Sequence, residues 1–266
     1  IGSVRKKNGD GVLYYPAFSN KHVKLKISQK IFDRDRLVTE SGGKVWIELN
    51  EMGDDGKKNS FVLGSDSELS LQSALDGSSG LTLNLNRGSV FCDVRKRYSG
   101  SGENEFRVQT PHAVSGVRGT KFHVTTSSAQ MSVVVVSARL GSGVEVRKNL
   151  LNTGDSKLLL AGEGLSIGPS DLISELRPSS AHLLSQNIRE SLISEMKFSG
   201  NSIPKEFVSK TGNTDVQKSR DFIPEKERYS GMKHSGQFFR DIRGQIRSEV
   251  GASRAESALE APQGKD

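Results

Sequence analysis

Residues that could carry out chemistry are few in this sequence, and their spacing suits neither catalysis nor metal binding. The histidines are His22, His112, His123, His182 and His234. None of them has a His-Glu-x-x-His or similar spacing, and the single cysteine, Cys92, cannot supply a thiolate set for zinc. Asp33 and Asp35 could form an acid/base pair, but no nucleophile accompanies them. We therefore predict no enzymatic activity, no metal site and no cofactor.

Two glycine pairs begin like dinucleotide-binding motifs. Gly141-x-Gly143 and Gly162-x-Gly164 both lack the third glycine and a strand-to-helix context, so turns are the better interpretation. Asp54-Asp55-Gly56 is too short for a calcium loop and is typical of a hairpin turn. We therefore do not expect a small-molecule ligand.

The net charge of +7 comes from 38 basic and 31 acidic residues, and it is spread along the chain. The densest basic clusters, Arg5–Lys7 and Arg95–Arg97, are short, so we predict no nucleic-acid partner. No apolar run approaches the roughly eighteen residues of a membrane-spanning helix, which predicts no membrane span. Because the chain begins at Ile1 and not at methionine, we expect that an N-terminal signal was removed and that the protein is periplasmic or otherwise extracytoplasmic.

Apolar and polar residues alternate with a period of two from Val4 to Ile167, as in Val45–Leu49 and Leu81–Leu85. Clusters of Asn, Gly, Asp and Ser separate these short stretches, and no helical pattern lies between them. The pattern predicts a mainly β domain over residues 1–170, which is solenoid-like, sandwich-like or a barrel. Periodicity alone does not choose between these architectures.

Residues 171–266 are predicted to be a polar, extended and partly helical C-terminal tail. Apolar residues recur at helical spacing in two places, which predicts amphipathic helices at about 180–197 and about 236–258. The two stripes are Leu184, Ile188, Leu192 and Met196, and Phe239, Ile242, Ile246 and Val250. Since neither helix can bury its stripe alone, these residues are candidates for partner binding. The first stripe could instead fold back onto the β domain, whereas for the second we expect order only on a partner.

The most distinctive segment runs from Phe106 to Val124. A strand ends at Thr110-Pro111, where proline removes a ladder hydrogen bond, and glycines then flank a tight return into the next strand. The residues of this motif, which we expect to determine the fold, are Thr110, Pro111, Gly116, Val117, Arg118, Gly119, Thr120 and Phe122. The segment resembles the signature of the FecR domain, and looser similarity extends over roughly residues 1–170.

This resemblance implies a β-rich, solenoid-like extracytoplasmic domain of a bacterial protein. In the family's membrane regulators a sigma-factor-binding segment and a transmembrane helix precede the domain, and this chain shows neither.

Three side chains each allow two interpretations. Arg118 could bind a partner or satisfy carbonyls of its own loop, and we favour the structural role. Trp46 is out of phase with its apolar neighbours, so it is either an exposed contact residue or part of a sheet covered on both sides. Cys92 is most simply a small buried residue, although an intermolecular disulfide is the alternative.

The favoured function is a non-catalytic interaction or structural component of a bacterial envelope or periplasmic assembly, which binds other proteins through its FecR-like domain and its tail. One alternative is a FecR-type regulator that transmits a signal to a sigma factor. A second alternative is a module that binds polysaccharide or peptidoglycan, for which the low aromatic content of 6% provides few stacking surfaces.

Overall fold

The structure is a computed structural model of the chain. It describes residues 1–53, 55–73, 80–95, 106–117, 119–139, 142–148, 156–173, 175–180 and 185–208. Several sequence predictions lie outside these residues: Arg118, Leu184, the helix predicted at 236–258, and its stripe of Phe239, Ile242, Ile246 and Val250.

Short β-strands dominate the described residues, as the alternating pattern predicts. The first nine are β1 (Gly2–Asn8), β2 (Val12–Tyr15), β3 (Val23–Lys24), β4 (Lys30–Ile31), β5 (Arg36–Thr39), β6 (Lys44–Met52), β7 (Lys58–Leu63), β8 (Glu68–Ser73) and β9 (Leu81–Asp93). The next eight are β10 (Phe106–Gln109), β11 (Val114–Val117), β12 (Thr120–Thr126), β13 (Met131–Ala138), β14 (Val144–Arg147), β15 (Ser156–Leu159), β16 (Glu163–Ile167) and β17 (Ser179–Ser180). Two helices follow, α1 (Gln186–Phe198) and α2 (Lys205–Val208).

The strands form two sheets that share the long strand β9. The front sheet has the order β4-β1-β6-β7-β9-β12-β13-β16-β17, and its described pairs are all antiparallel. The back sheet has the order β3-β2-β5-β8-β9-β10-β11-β14-β15. Its pairs are antiparallel except for β9 with β10. Successive hairpins therefore alternate between the two sheets.

Strand β9 joins the sheets by changing direction at Gly88. Residues before Gly88 pair with β8 in the back sheet, and residues after it pair with β7 and β12 in the front sheet. Gly88 has a φ of +89°, and a Cβ atom there would lie 2.1 Å from Ser67 Oγ. A residue without a side chain is therefore required at the crossing.

The main hydrophobic core lies between the two sheets. Leu83 and Leu85 of the back sheet and Val90 and Cys92 of the front sheet are each essentially unexposed and belong to one cluster. Across the layer the rings of Phe106 and Phe122 meet edge to face, with centroids 6.4 Å apart. The prediction of a mainly β, sandwich-like domain is confirmed. The solenoid-like alternative is wrong, because stacked coils require parallel neighbours and the strands here pair almost entirely as antiparallel hairpins.

The first helix belongs to the same compact unit as the strands. Helix α1 packs on the outer face of the front sheet, and the compact unit spans Ile1–Lys210. The boundary predicted at residue 170 therefore does not coincide with the end of this unit, because the outer face of the front sheet is apolar and is covered by residues beyond that point. The helix predicted at about 180–197 begins in the structure at Gln186.

The Thr110–Phe122 motif forms a turn and two strand ends. The Thr110 amide donates to the Ala113 carbonyl (2.9 Å), and Thr110 Oγ1 accepts from the Ala113 amide (3.1 Å). Val117 and Phe122 are fully buried in the main core, and Gly116 lies within β11. The structure thus places the described motif residues where one hairpin leaves the back sheet and the next enters the front sheet.

Gly119 is the position in this motif where backbone conformation restricts the residue type. Its φ is +66°, a region that β-branched residues rarely adopt. Replacing Gly119 by Val should lower the free energy of unfolding by about 2 kcal/mol, measured by urea denaturation of the whole chain. Gly119→Asn is the control, since asparagine tolerates positive φ, and it should lose less than half as much. Equal losses for the two variants would show that backbone conformation at this position is not the cause.

Candidate functional site

The described part of the first predicted partner-binding stripe is covered by the chain's own sheet. Ile188, Leu192 and Met196 are 8%, 0% and 1% exposed. Leu184 lies outside the described residues. The expectation that these residues are free to bind another protein is therefore corrected. Their apolar side chains have a complementary apolar surface within the same chain, so they are buried on folding.

The surface under the helix comes from the centre of the front sheet. Val62 of β7, Phe91 of β9, and Val134 and Val136 of β13 form a second hydrophobic cluster with the helix residues and with Phe207 of α2. Strands covered on both faces carry continuous apolar runs, whereas half-exposed strands alternate. The run Val133–Val136 is such a signal in the sequence, and it could have identified this covered face.

Trp46 lies beside the same helix. It is half-buried and packs against the second cluster, on the face opposite Val45 and Ile47, which belong to the main core. Its covered position corresponds to the second of the two sequence interpretations, a sheet buried on both sides. It is therefore poorly placed as an exposed contact residue.

A polar cluster lies buried inside this apolar interface. Glu195 of α1 is 1% exposed, and its carboxylate accepts hydrogen bonds from Ser89 Oγ and from Ser191 Oγ (2.9 Å). The other carboxylate oxygen lies 3.3 Å from His123 Nε2, at an angle that does not make a hydrogen bond. The cluster thus brings the helix into contact with β9 through Ser89 and with β12 through His123.

The arrangement of this polar cluster does not suit nucleophilic catalysis. In a serine hydrolase the histidine stands between the serine and the carboxylate and takes the serine proton. Here Glu195 stands between Ser89 and His123, and these side chains are closed off from solvent. The cluster therefore fastens the helix to the sheet in one position.

Gly64 allows the helix to approach this closely. A Cβ atom on Gly64 would lie 2.2 Å from Ser89 Oγ and 2.3 Å from Glu195 Oε1. Any larger residue would push the carboxylate out of its place. Sequence reasoning had no signal for this role, since the contact joins residues far apart in the chain.

Other chemistry is limited in the described residues. They contain no group of three or more His, Cys, Asp or Glu side chains that could hold a metal ion. Cys92 is fully buried, and its burial raises the pKa of the thiol well above its usual value. Within the same residues, no helix is long and apolar enough to cross a membrane.

Asp35 organises a second region, at the edge of the sandwich. It is 1% exposed and accepts hydrogen bonds from the Tyr14 hydroxyl (2.7 Å), the Ala17 amide (2.9 Å) and the Phe32 amide (2.7 Å). Its role is to hold two loops together, and no acid/base pair with Asp33 is needed to explain it. Asp33 itself accepts from the Ser73 amide and hydroxyl.

Burial raises the pKa of Tyr14 to about 12, and the hydrogen bond to Asp35 and its negative charge act in the same direction. The phenol of the unfolded chain ionises near 10. The raised pKa means that the neutral Tyr14 phenol stabilises the folded state. This contribution to the free energy of unfolding is complete below about pH 10 and is lost as the pH rises toward about 12.

Between about pH 9 and about pH 11, the wild-type chain should lose about 1 kcal/mol more unfolding free energy than the Tyr14→Phe variant. Urea denaturation at the two pH values measures this difference. The Phe variant lacks the titrating group and serves as the control for other residues that ionise at high pH. Parallel losses in both proteins would contradict the pKa shift of Tyr14.

Removing the Glu195 carboxylate should loosen the helix. Glu195→Ala removes the buried acceptor of the Ser89 and Ser191 hydroxyls, and we expect the free energy of unfolding to fall by about 3 kcal/mol. Glu190→Ala is the matched control on the same helix, because Glu190 is exposed and should change stability by less than about 0.5 kcal/mol. Equal stability of the two variants in urea denaturation would show that the buried cluster does not hold the helix.

Part of the β domain matches a known protein family. Residues 35–140 match the family described as FecR protein, and no curated protein matches the chain. Two crystal structures of a candidate anti-sigma factor from Parabacteroides distasonis ATCC 8503, at 2.50 and 1.65 Å resolution, align with 55% of this chain at 18% identity and a TM-score of 0.38. The aligned part spans 59% of that solved chain. The FecR resemblance is thus confirmed by the family match, and residues 35–140 of this chain are a FecR domain.

Proposed function

We propose that the chain is a non-catalytic protein-interaction component of a bacterial envelope or periplasmic assembly. The FecR domain supports this proposal, because the described residues of its motif lie in turns, in strands and in the main core. The observation that carries the proposal is the docking of helix α1 on the front sheet. Through the Glu195 cluster and the second hydrophobic cluster, it ties the start of the C-terminal region to a rigid domain.

This docking sets where the rest of the tail begins. Helix α2 ends at Val208, and Phe207 is 1% exposed in the second cluster. The last described residues of the chain are therefore anchored to the domain. The stripe of Phe239, Ile242, Ile246 and Val250 follows within this tail, and we propose it as the partner-binding element.

A FecR-type regulator is the second candidate function, and the family match supports it at least as strongly as a structural role. In this form, a signal from outside the cytoplasm reaches a sigma factor through protein contacts of the same chain. Both forms place this domain outside the cytoplasm, the structural form after removal of an N-terminal signal, and both rely on binding other proteins. A structural component would stay bound to its partner, and its loss would destabilise that partner. A regulator would bind its partner to transmit a signal, and its loss would change transcription. Binding of polysaccharide or peptidoglycan has no observation in its favour among the described residues.

A photo-crosslinking residue at Ile242 tests whether the tail binds a protein. In living cells it should form a covalent product with one defined protein, identified by mass spectrometry. Ser248 is the matched control, because at 100° per residue it lies on the opposite side of the predicted helix. Equal labelling from the two positions, or none from Ile242, would contradict the proposal.

The structural and regulatory forms are separated by a second measurement. Deletion of the gene for a regulator should change transcripts that depend on one sigma factor. Deletion of the gene for a structural component should instead destabilise the crosslinked partner in the envelope.

Hydrogen exchange on the isolated chain tests whether the tail is free to bind. Residues 236–252 should show little protection, since strong protection in the monomer would rule out the tail as a free binding element.

A further inference from the structure

The edge of the sandwich formed by residues 18–32 carries an unusual number of exposed apolar side chains. Phe18 is 89% exposed, Ile27 61%, Phe32 57% and Val23 44%. This segment passes from β3, at one end of the back sheet, to β4, at one end of the front sheet. Only Leu25 and Ile31 within it are inserted into the main core. The other four apolar side chains are exposed.

The backbone of this edge is held in a fixed shape. Asp35 binds the amides of Ala17 and Phe32 and so keeps the two loops that carry Phe18 and Phe32 close together. Phe18, Ser28 and Arg34 have φ values of +61°, +65° and +62°. Such strain persists only where surrounding contacts impose it. The exposed phenylalanines are thus displayed by an ordered framework.

Basic side chains surround the exposed apolar residues. Lys21, Lys24, Lys26 and Lys30 are all exposed, and the Arg34 guanidinium lies 5.3 Å from the Phe18 ring centroid.

The nearby carboxylates neutralise only part of this charge. Asp35 is buried, and Asp33 binds Ser73 and lies 3.5 Å from Arg34. Of the four lysines, Lys24 alone has an ion-pair partner among the described residues, Asp10 at 3.8 Å. The edge therefore combines protruding apolar groups with a net positive charge.

This combination fits an anionic lipid surface better than a protein. Lysine is depleted from protein interfaces, and the dominant side chains of such interfaces fill pockets, whereas these protrude into solvent. Lysines near an anionic membrane are attracted to its surface, and apolar side chains flanked by lysines insert at the boundary between headgroups and acyl chains. Val23 and Ile27 offer no ring for stacking on nucleic-acid bases.

We propose that this edge binds the surface of an anionic membrane, with Phe18, Ile27 and Phe32 entering the headgroup layer and the four lysines facing lipid phosphates. This contact is separate from the protein binding proposed for the tail, which uses residues beyond 208. The edge would hold the domain against a bilayer by its loops.

Flotation of the whole chain with lipid vesicles tests the proposal. The protein should float with vesicles of phosphatidylcholine and phosphatidylglycerol, in a ratio of about 7 to 3, and should remain unbound with phosphatidylcholine alone. Lys21→Gln with Lys24→Gln should weaken binding by about tenfold or more, because each lysine close to such a surface contributes roughly fivefold. Phe18→Ser with Phe32→Ser should abolish flotation while leaving the thermal unfolding midpoint nearly unchanged.

Matched controls change exposed residues elsewhere. Leu158→Ser alters an exposed apolar residue on β15, at the other end of the back sheet from β3, and Lys57→Gln with Lys205→Gln removes two exposed lysines. Both should float like the wild type. No flotation of the wild type, equal flotation of the edge variants and controls, or preference for a single-stranded oligothymidylate over the vesicles would each overturn the proposal. Failure of the tail crosslinking with successful flotation would refute the protein-binding function alone.

Discussion

The front sheet has apolar side chains on both of its faces, and burying both faces is the constraint on which the rest of the structure depends. Strand β9 shows it most directly, since Val90 and Cys92 point into the main core while Phe91 points to the opposite face. One face is covered by the back sheet. The other requires a second cover, because an exposed patch made of Val62, Phe91, Val134 and Val136 would be unfavourable in water. Helix α1 provides that cover.

A buried carboxylate in the middle of this contact gives the helix a specific position. Apolar side chains alone would accept several registers of the helix, since hydrophobic contact has little directionality. Glu195 accepts one hydrogen bond from Ser191 of its own helix and one from Ser89 of β9, and the bond to Ser89 fixes the helix relative to the sheet. Burying the carboxylate without hydrogen bonds costs several kcal/mol. Gly64 leaves the space for this carboxylate. The FecR domain and helix α1 thus belong to one compact unit.

The opposite situation occurs at the edge where β3 and β4 end the two sheets. There the chain is ordered by the Asp35 hydrogen bonds, yet several large apolar side chains remain in solvent. One apolar surface of this protein is therefore buried and another is exposed. The protein closes one face with its own helix and leaves the other, smaller surface available and surrounded by lysines. This difference separates the part of the molecule that serves stability from the part that offers contact.

The sequence by itself determined the strand content, the FecR motif and the amphipathic character of the first helix. These are local properties, since period-two alternation, a Thr-Pro turn and glycines beside it can be read within a few residues. Gly119 is one of the glycines that the sequence places beside this turn, and the structure gives it a φ of +66°. Only the tertiary structure decided between sandwich and solenoid, and only it showed that Ile188, Leu192 and Met196 are covered by their own chain. The meeting of Glu195 with Ser89 and His123, and of Tyr14 with Asp35, was equally out of reach of the sequence. Each of these contacts joins residues distant in the chain, and their pairing follows from how the sheets fold over one another and not from any local pattern.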